Sequence, residues 1–230
     1  MAESALMQPT TNAPSERPSA DAQSTDTHQP DTHQPDDQHL REHPIEQTQV
    51  YQGHFLDVRR DRIRLPNGGE AAREYIVHPG AAVVVAILDD GRLVMERQFR
   101  YPLGRAVIEF PAGKLDAGEP SKRCAVRELQ EETGYSAREW AFAGTMHNAI
   151  AYSTEHIDIW FARGLTGGEQ HLDNEEFLDV FAADQQQLED WVRDGVVTDA
   201  KKISALMWLQ QRRAGRWDLT WQGPDNDAQT

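Results

Sequence analysis

The segment from Glu119 to Gly134 constrains this chain more than any other. Glu119-Pro120 suits the opening of a helix, because proline fixes φ near the helical value and lacks only an N–H that the first turn leaves unbonded. Thr133-Gly134 closes it, glycine being the residue that most readily turns left-handed past a helix end. Between these stops Glu128, Glu131 and Glu132 fall three and four residues apart and project from one sector. Like charges so placed cost roughly a few tenths of a kcal/mol per pair on an exposed helix, and more when partly buried. Either the helix lies in solvent, its acids balanced by Lys122, Arg123 and Arg127, or the fold brings it counter-charge.

The flanking elements are read from turns and periodicity. Val50 to Arg64 and Glu74 to Val77 are β-prone runs around the turn cluster Pro66-Asn67-Gly68-Gly69, which predicts a hairpin. Ala81 to Leu88, Asp89-Asp90-Gly91 and Arg92 to Gln98 predict a second hairpin containing a central strand. A further strand fits Ala106 to Phe110, broken by the loop Pro111-Ala112-Gly113. Strands at Trp140 to Met146 and Ile157 to Gly164 follow the helix, then amphipathic helices at Ala183 to Gly195 and Ala200 to Gln211. That order predicts an α+β domain of about 170 residues. The expected division is a polar tail over 1–44, an N-terminal β element over 45–79, the main domain over 80–215 and a C-terminal tail over 216–230. Order is expected from about Gln49, and Trp217, Leu219 and Trp221 are expected to pack onto the domain.

The N-terminal tail carries the tandem repeat DTHQP over Asp26 to Pro35 and almost no large apolar residue, so it cannot offset its ordering entropy. His28, His33, His39 and His43 match no closed ligand spacing and read as incidental. The excess of 38 acidic over 23 basic residues gives a net charge of −15, which argues against binding nucleic acid. An anionic small molecule remains admissible if bound divalent cations reverse the field locally. Cys124 is the only cysteine, so no intrachain disulfide forms, and its helical position predicts a buried thiol. With no basic and apolar leader and no membrane-length apolar run, the expected location is the cytoplasm.

Read in full, the central stretch is Gly113, five residues, Glu119, seven residues, Arg127-Glu128-Leu129, one residue, Glu131-Glu132, one residue, Gly134 and Tyr135. Chance would produce this on the order of once in 10⁷ chains of such size. The pattern resembles the complete Nudix box, Tyr135 being the one soft match, where an aliphatic residue is more usual. The resemblance implies a loop–helix–loop on a mixed sheet between helices, an α/β/α sandwich here preceded by the N-terminal β-hairpin element. It implies Glu128, Glu131 and Glu132 as metal ligands together with the Ala112 carbonyl. Gly113, Glu119, Arg127 and Gly134 would shape the box, Arg127 pairing with Glu119. The implied cofactor is two or more Mg²⁺ or Mn²⁺ ions, as hard carboxylate donors favour, and the implied reaction is attack of water on a diphosphate phosphorus.

Outside the box the chain resembles the ADP-ribose pyrophosphatase branch, through Arg73-Glu74-Tyr75, His78 to Val83, Glu96 to Pro102, Glu109 to Gly113, Tyr152 to Glu155 and Asp173 to Glu176. The resemblance implies substrate contacts from Arg100, Glu109 and, across a homodimer, Arg73. The acidic loop would supply the general base, Glu175 first, then Asp173 and Glu176, with Glu131 also counted among the catalytic groups. ADP-ribose, giving AMP and ribose 5-phosphate, is the expected substrate. Ile150 and Ala151 replace the Pro-Gly usual before Tyr152, which leaves other nucleotide sugars or dinucleotides open. A non-catalytic nucleotide-binding module is a third reading, set against a box that has lost none of its carboxylates.

Overall fold

Cationic residues crowd the strand 57–64, where Arg59, Arg60, Arg62 and Arg64 stand among acids from both flanks. The structure, a computed structural model, describes residues 37–224. The repeat over 26–35, with His28 and His33, lies outside them. Three strands come first: β1 (His43–Gln52), β2 (Asp57–Arg64) and β3 (Glu70–Val77), antiparallel in the order β1-β2-β3. Arg62 pairs with Glu46 at 3.3 Å and Glu70 at 3.0 Å, stitching all three. Such exposed pairs contribute about 0–1 kcal/mol each, so the backbone ladder carries this sheet.

Two expectations are corrected here. The run Val50 to Arg64 is not one strand but parts of two, separated by a turn in which the Gly53 N–H donates to the Leu56 carbonyl at 2.7 Å. Order also begins before Gln49, and β1 starts inside the region assigned to the tail. Every residue of β1 is exposed, so no apolar alternation marked it. The predicted hairpin is present as β2 and β3 on either side of Pro66 to Gly69, and β1 adds a third strand to it.

The main sheet is built from β4 (Ala81–Ile87), β5 (Leu93–Arg100), β6 (Arg105–Glu109), β7 (Ala112–Lys114), α1 (Ser121–Thr133) packed beside it, β8 (Tyr135–His147), β9 (His156–Gly167) and β10 (Leu178–Ala183), followed by α2 (Gln185–Arg193) and α3 (Ala200–Arg213). Its strand order is β10-β5-β4-β9-β8, with β6 on β5 and β7 on β4. The β4–β9 pairing is parallel and the others are antiparallel, so the sheet is mixed. β10 was not anticipated from the sequence.

β4 is apolar at every position because both of its faces are covered. Ala81, Val83 and Val85 join Leu188 of α2 and Ala205, Leu206 and Leu209 of α3 in one core. Ala82, Val84 and Ala86 join Cys124, Ala125 and Leu129 of α1 in another. The result is helix, sheet, helix in three layers. Asp184 and Asp199 cap α2 and α3 by accepting from backbone N–H groups, which is why those helices begin there. Pro120, expected as the first helical residue, stands at the N-cap of α1, so the helix begins one residue later than expected. Among the described residues no helix is long and apolar enough to cross a membrane.

The expected β4–β5 hairpin is splayed. The two strands pair only at Ile87 and Leu93, beside the turn. Beyond that point β5 turns to β6 and β4 to β7, and the Val84 N–H donates to the Pro111 carbonyl at 2.8 Å. The gap therefore carries Glu109 to Gly113 across the sheet and sets this loop against α1.

The C-terminal residues pack against the main domain. Trp217 lies 4.3 Å from Trp208 between ring centroids, Arg163 stacks on Trp221 at 4.0 Å, and Gln222 exchanges both backbone hydrogen bonds with Trp140.

Candidate active site

The helix period places Glu132 three residues after Leu129, in the sector that faces the core, and its side chain is only 4% exposed. The Ala112 N–H donates to Glu132 Oε2 at 2.9 Å, fastening the end of α1 to the loop from the splayed strands. Glu128 lies over the same loop at Gly113. A methyl group there would stand 1.8 Å from Glu128 Oε1, so only glycine leaves the carboxylate its place. Glu131, at the rim, is more exposed. All three glutamates, with Ala112 and Gly113, line one cleft of about 650 Å³.

Arg127 organises the loop before the helix. Its Nε and Nη2 donate to the two Glu119 oxygens at 3.1 and 2.9 Å, and its Nη1 to Glu128 at 2.6 Å and Glu131 at 3.1 Å. Glu119 also accepts the Asp116 N–H at 3.0 Å, closing the turn. Gly134 ends α1 at φ 72°, its N–H donating to the Gln130 carbonyl, and a Cβ there would meet the Gly168 carbonyl oxygen at 2.7 Å. Cys124 is buried, its thiol facing the carbonyls of Gly113 and Lys114, and burial pushes its pKa up to about 12. That is an unreactive, structural cysteine.

Arg100 ends β5 and Glu109 ends β6. Arg100 Nε donates to Glu109 Oε1 at 2.5 Å, and Lys202 Nζ of α3 donates to Glu109 Oε2 at 2.7 Å. Lys202, 1% exposed, also meets Asp199 at 3.1 Å. Burial pushes the Glu109 carboxyl up, but Arg100 and Lys202 together outweigh it and hold Glu109 ionised, below its ordinary value. The Arg100 Nη atoms donate to no protein acceptor among the described residues, and Arg100 lines the cleft.

Asp173 and Glu176 line the cleft opposite α1, whereas Glu175, the first choice from sequence, is exposed and does not. Asp173 N-terminal to the turn accepts the Glu176 N–H at its carbonyl, which turns Glu176 inward. Arg73, on β3, bonds Glu42 and the Ala72 carbonyl and is absent from the cleft of its own chain. Sequence reasoning missed Glu96, Lys202, Phe55, Lys114 and Lys201. Lys114 lies 4.3 Å over the Phe55 ring at the cleft wall. His78 lines the same wall, and its Nδ1 accepts the Gly80 N–H at 3.0 Å. Burial lowers the His78 pKa, which keeps it neutral.

Two buried acids, Glu96 and Glu132, form no ion pair among the described residues. Burial, and then the charges of Glu109 and Glu176, raise the Glu96 pKa. Burial, and then Glu96 and Glu128, raise that of Glu132, and burial raises that of Glu128. A cleft of carboxylates pushed upward by one another is one built to be completed by positive charge. The donors fit hard divalent cations: all are oxygens, Gly113 keeps the Glu128 carboxylate in place, and the buried Glu96 Oε1 has no hydrogen-bond partner. No three acidic, His or Cys side chains among the described residues converge on one point as they stand. Arg127 draws Glu128 and Glu131 toward itself, and a cation would have to compete for them.

A mixed three-layer sandwich with this loop–helix–loop defines a class, and comparison with known proteins places the chain in it. Residues 77–207 match the family model described as NUDIX domain, and residues 42–76 that described as nucleoside diphosphate sugar hydrolase N-terminal domain. The chain belongs to the Nudix family. It is 36% identical over 177 residues to an ADP-ribose pyrophosphatase of Bacillus subtilis (strain 168), covering 76% of this chain and 96% of that protein. It is 33% identical to the methanol dehydrogenase activator of Bacillus methanolicus, covering 75% and 95%. A solved ADP compounds hydrolase shares the fold with a TM-score of 0.69 at 24% identity, covering 77% of this chain and 98% of that one.

Proposed function

We propose that this chain hydrolyses the diphosphate bond of nucleoside diphosphate derivatives with divalent cations, and that ADP-ribose is its substrate, giving AMP and ribose 5-phosphate. The observation that carries this is the cleft that gathers Glu128, Glu131 and Glu132 opposite Arg100 and the acidic loop. The Bacillus subtilis relative, named for the same activity, supports the substrate.

When bound among the box glutamates, Mg²⁺ or Mn²⁺ ions supply charge neutralisation and Lewis acidity at the phosphate oxygens. Arg100, fixed through Nε by Glu109, presents its Nη atoms to the diphosphate as a planar fork. Glu109 thus positions Arg100, and Lys202 holds Glu109 from behind. Glu176 is the general base: it lines the cleft across from α1 and accepts the proton of the attacking water. The water oxygen bonds to one phosphorus, the bridging oxygen leaves with the other phosphoryl group, and two phosphate monoesters result. Glu175 lies outside the cleft and takes no part in this scheme.

A homodimer belongs to the same reading. The exposed Ile45, Val50 and Tyr51 of β1 offer apolar surface to a second copy, whose cleft Arg73 would then serve. Sedimentation tests it, and a monomer at working concentration removes Arg73 from the site. The match of residues 42–76 to a nucleoside diphosphate sugar hydrolase domain supports a second substrate reading, an ADP-sugar or GDP-sugar. A panel of ADP-ribose, ADP-glucose and GDP-mannose with Mg²⁺ and with Mn²⁺, read by product chromatography, decides between them. Preference for GDP-mannose by more than about tenfold, or roughly 1.4 kcal/mol, overturns ADP-ribose, and no turnover of any with either metal overturns the enzyme.

A further inference from the structure

Glu96 occupies a place where a covered strand calls for an apolar residue. β5 is flanked by β10 on one side and by β4 and β6 on the other. Residues two apart share a strand face. On the face of Glu96, Val94 lies in the core beneath α1, while Gln98 and Arg100 line the cleft. Glu96 therefore stands where the core gives way to the site. It is 2% exposed, and its Oε1 is fully buried with no hydrogen-bond partner. Directly across the ladder is another buried acid, Glu109. Like charges directly opposed on a sheet repel, and an unpaired buried carboxylate is costlier still.

The cations nearby are already committed. Arg100 and Lys202 pair with Glu109, Lys202 also with Asp199, and Arg127 with Glu119, Glu128 and Glu131. Glu96 receives none of them. Glu132 receives only the Ala112 N–H, and the charge acting most strongly on Glu132 is Glu96. Two buried carboxylates, one on β5 and one on α1, thus stand close enough for the charge of Glu96 to act on Glu132, and neither forms an ion pair with a cation among the described residues. All-oxygen donors in that state match a hard divalent cation.

We propose that Glu96, which lies outside the Nudix box, is a protein ligand for a divalent cation that it shares with Glu132. This rests on the cation-dependent reading above and adds a donor from the sheet to those from the helix. It ties the cation to the strand that ends in Arg100, so that one β-strand sets the spacing between the ion and the guanidinium.

The test is Mn²⁺ titration of the chelator-stripped full chain, with free Mn²⁺ read by electron paramagnetic resonance, for wild type, Glu96→Gln and Glu132→Gln. Thermal melts of the stripped proteins run alongside. Expected for Glu96→Gln is the loss of one Mn²⁺ or at least about tenfold weaker binding, with a metal-free melting temperature at or above wild type, since a buried acid whose Oε1 has no hydrogen-bond partner has gone. A Glu96→Gln isotherm superimposed on wild type overturns the proposal, as does a lower metal-free melting temperature, which would make the carboxylate a requirement of the fold. Wild type that binds no Mn²⁺ sinks the cation-dependent reading as well. Glu132→Gln weakened beside an unchanged Glu96→Gln sinks only this inference.

Discussion

Replacing Gly113 by alanine isolates the placement of a single carboxylate. A Cβ at residue 113 would lie 1.8 Å from Glu128 Oε1 and 2.0 Å from its Cδ. Ordinary contact is about 3.5 Å, so the carboxylate must retreat by about 1.5 Å. Gly113 is not among the glycines with positive φ, so alanine strains no backbone and the whole change falls on Glu128. The fold loses the 2.6 Å contact between Arg127 and Glu128, a partly exposed pair, worth about 0–1 kcal/mol. Catalysis loses more, because a displacement of about 1 Å in a positioned group costs about 100-fold in rate, or roughly 2.7 kcal/mol. Steady-state hydrolysis of ADP-ribose with Mg²⁺ should show kcat/KM lower by about that factor, with the melting temperature nearly unchanged. Activity within about threefold of wild type would refute the claim that Glu128 must lie against Gly113.

Three further outcomes follow from buried charge. Lys202→Met removes the cation behind Glu109 and should destabilise the protein by about 3 kcal/mol in urea unfolding, the low end for a broken buried pair because Arg100 remains; a loss below about 1 kcal/mol contradicts the buried network. In chelator, stability should fall as pH rises. Glu96 and Glu132 have folded pKa values raised to about 8 and about 10 from an ordinary 4.5, so the folded state holds more protons across that window and the unfolded state gains as they dissociate. Saturating Mg²⁺ should abolish that decline, and metal-free melting temperatures that rise from pH 5 to about 8 would contradict it. Cys124, with its pKa near 12 and no exposure, should resist a disulfide reagent in the native protein and react on unfolding; rapid native labelling would mean the α1 core is open.

The box was legible because its information is local. Helix stops, the three-and-four spacing of Glu128, Glu131 and Glu132, and the turn glycine all lie between Gly113 and Tyr135, and short-range geometry puts them together. The same holds for β4, whose unbroken apolar run announces cover on both faces. What stayed hidden depends on distant pairing. Lys202 meets Glu109 across 93 residues, and read in sequence it is one more lysine near the start of a helix. Glu96 was read only as part of the strand Arg92 to Gln98, and its burial depends on the pairing of that strand with β10 and β6. β10 itself was missed because Leu178 to Ala183 is short and merges with the run read as a helix from Ala183. In the acidic loop the sequence put Glu175 first and Asp173 and Glu176 behind it. The folded loop, turned by the 3.0 Å bond from the Glu176 N–H to the Asp173 carbonyl, brings Asp173 and Glu176 to the cleft and leaves Glu175 outside.

The net charge of −15 and an anionic substrate are reconciled by where the cations sit. Most arginines of the N-terminal sheet are tied to acids beside them, and Arg127 is held by three glutamates. In the cleft, Arg100 keeps its Nη donors free of protein acceptors among the described residues, and Lys114 lies at the wall over the Phe55 ring. The protein alone therefore presents a diphosphate with the Arg100 fork, Lys114, Lys201 and a wall of carboxylates, some of them raised in pKa by burial and then by one another. Such a wall repels the substrate until divalent ions occupy it, after which the same acids hold those ions in place. Acidity within the cleft is thus what makes binding of a small diphosphate conditional on metal.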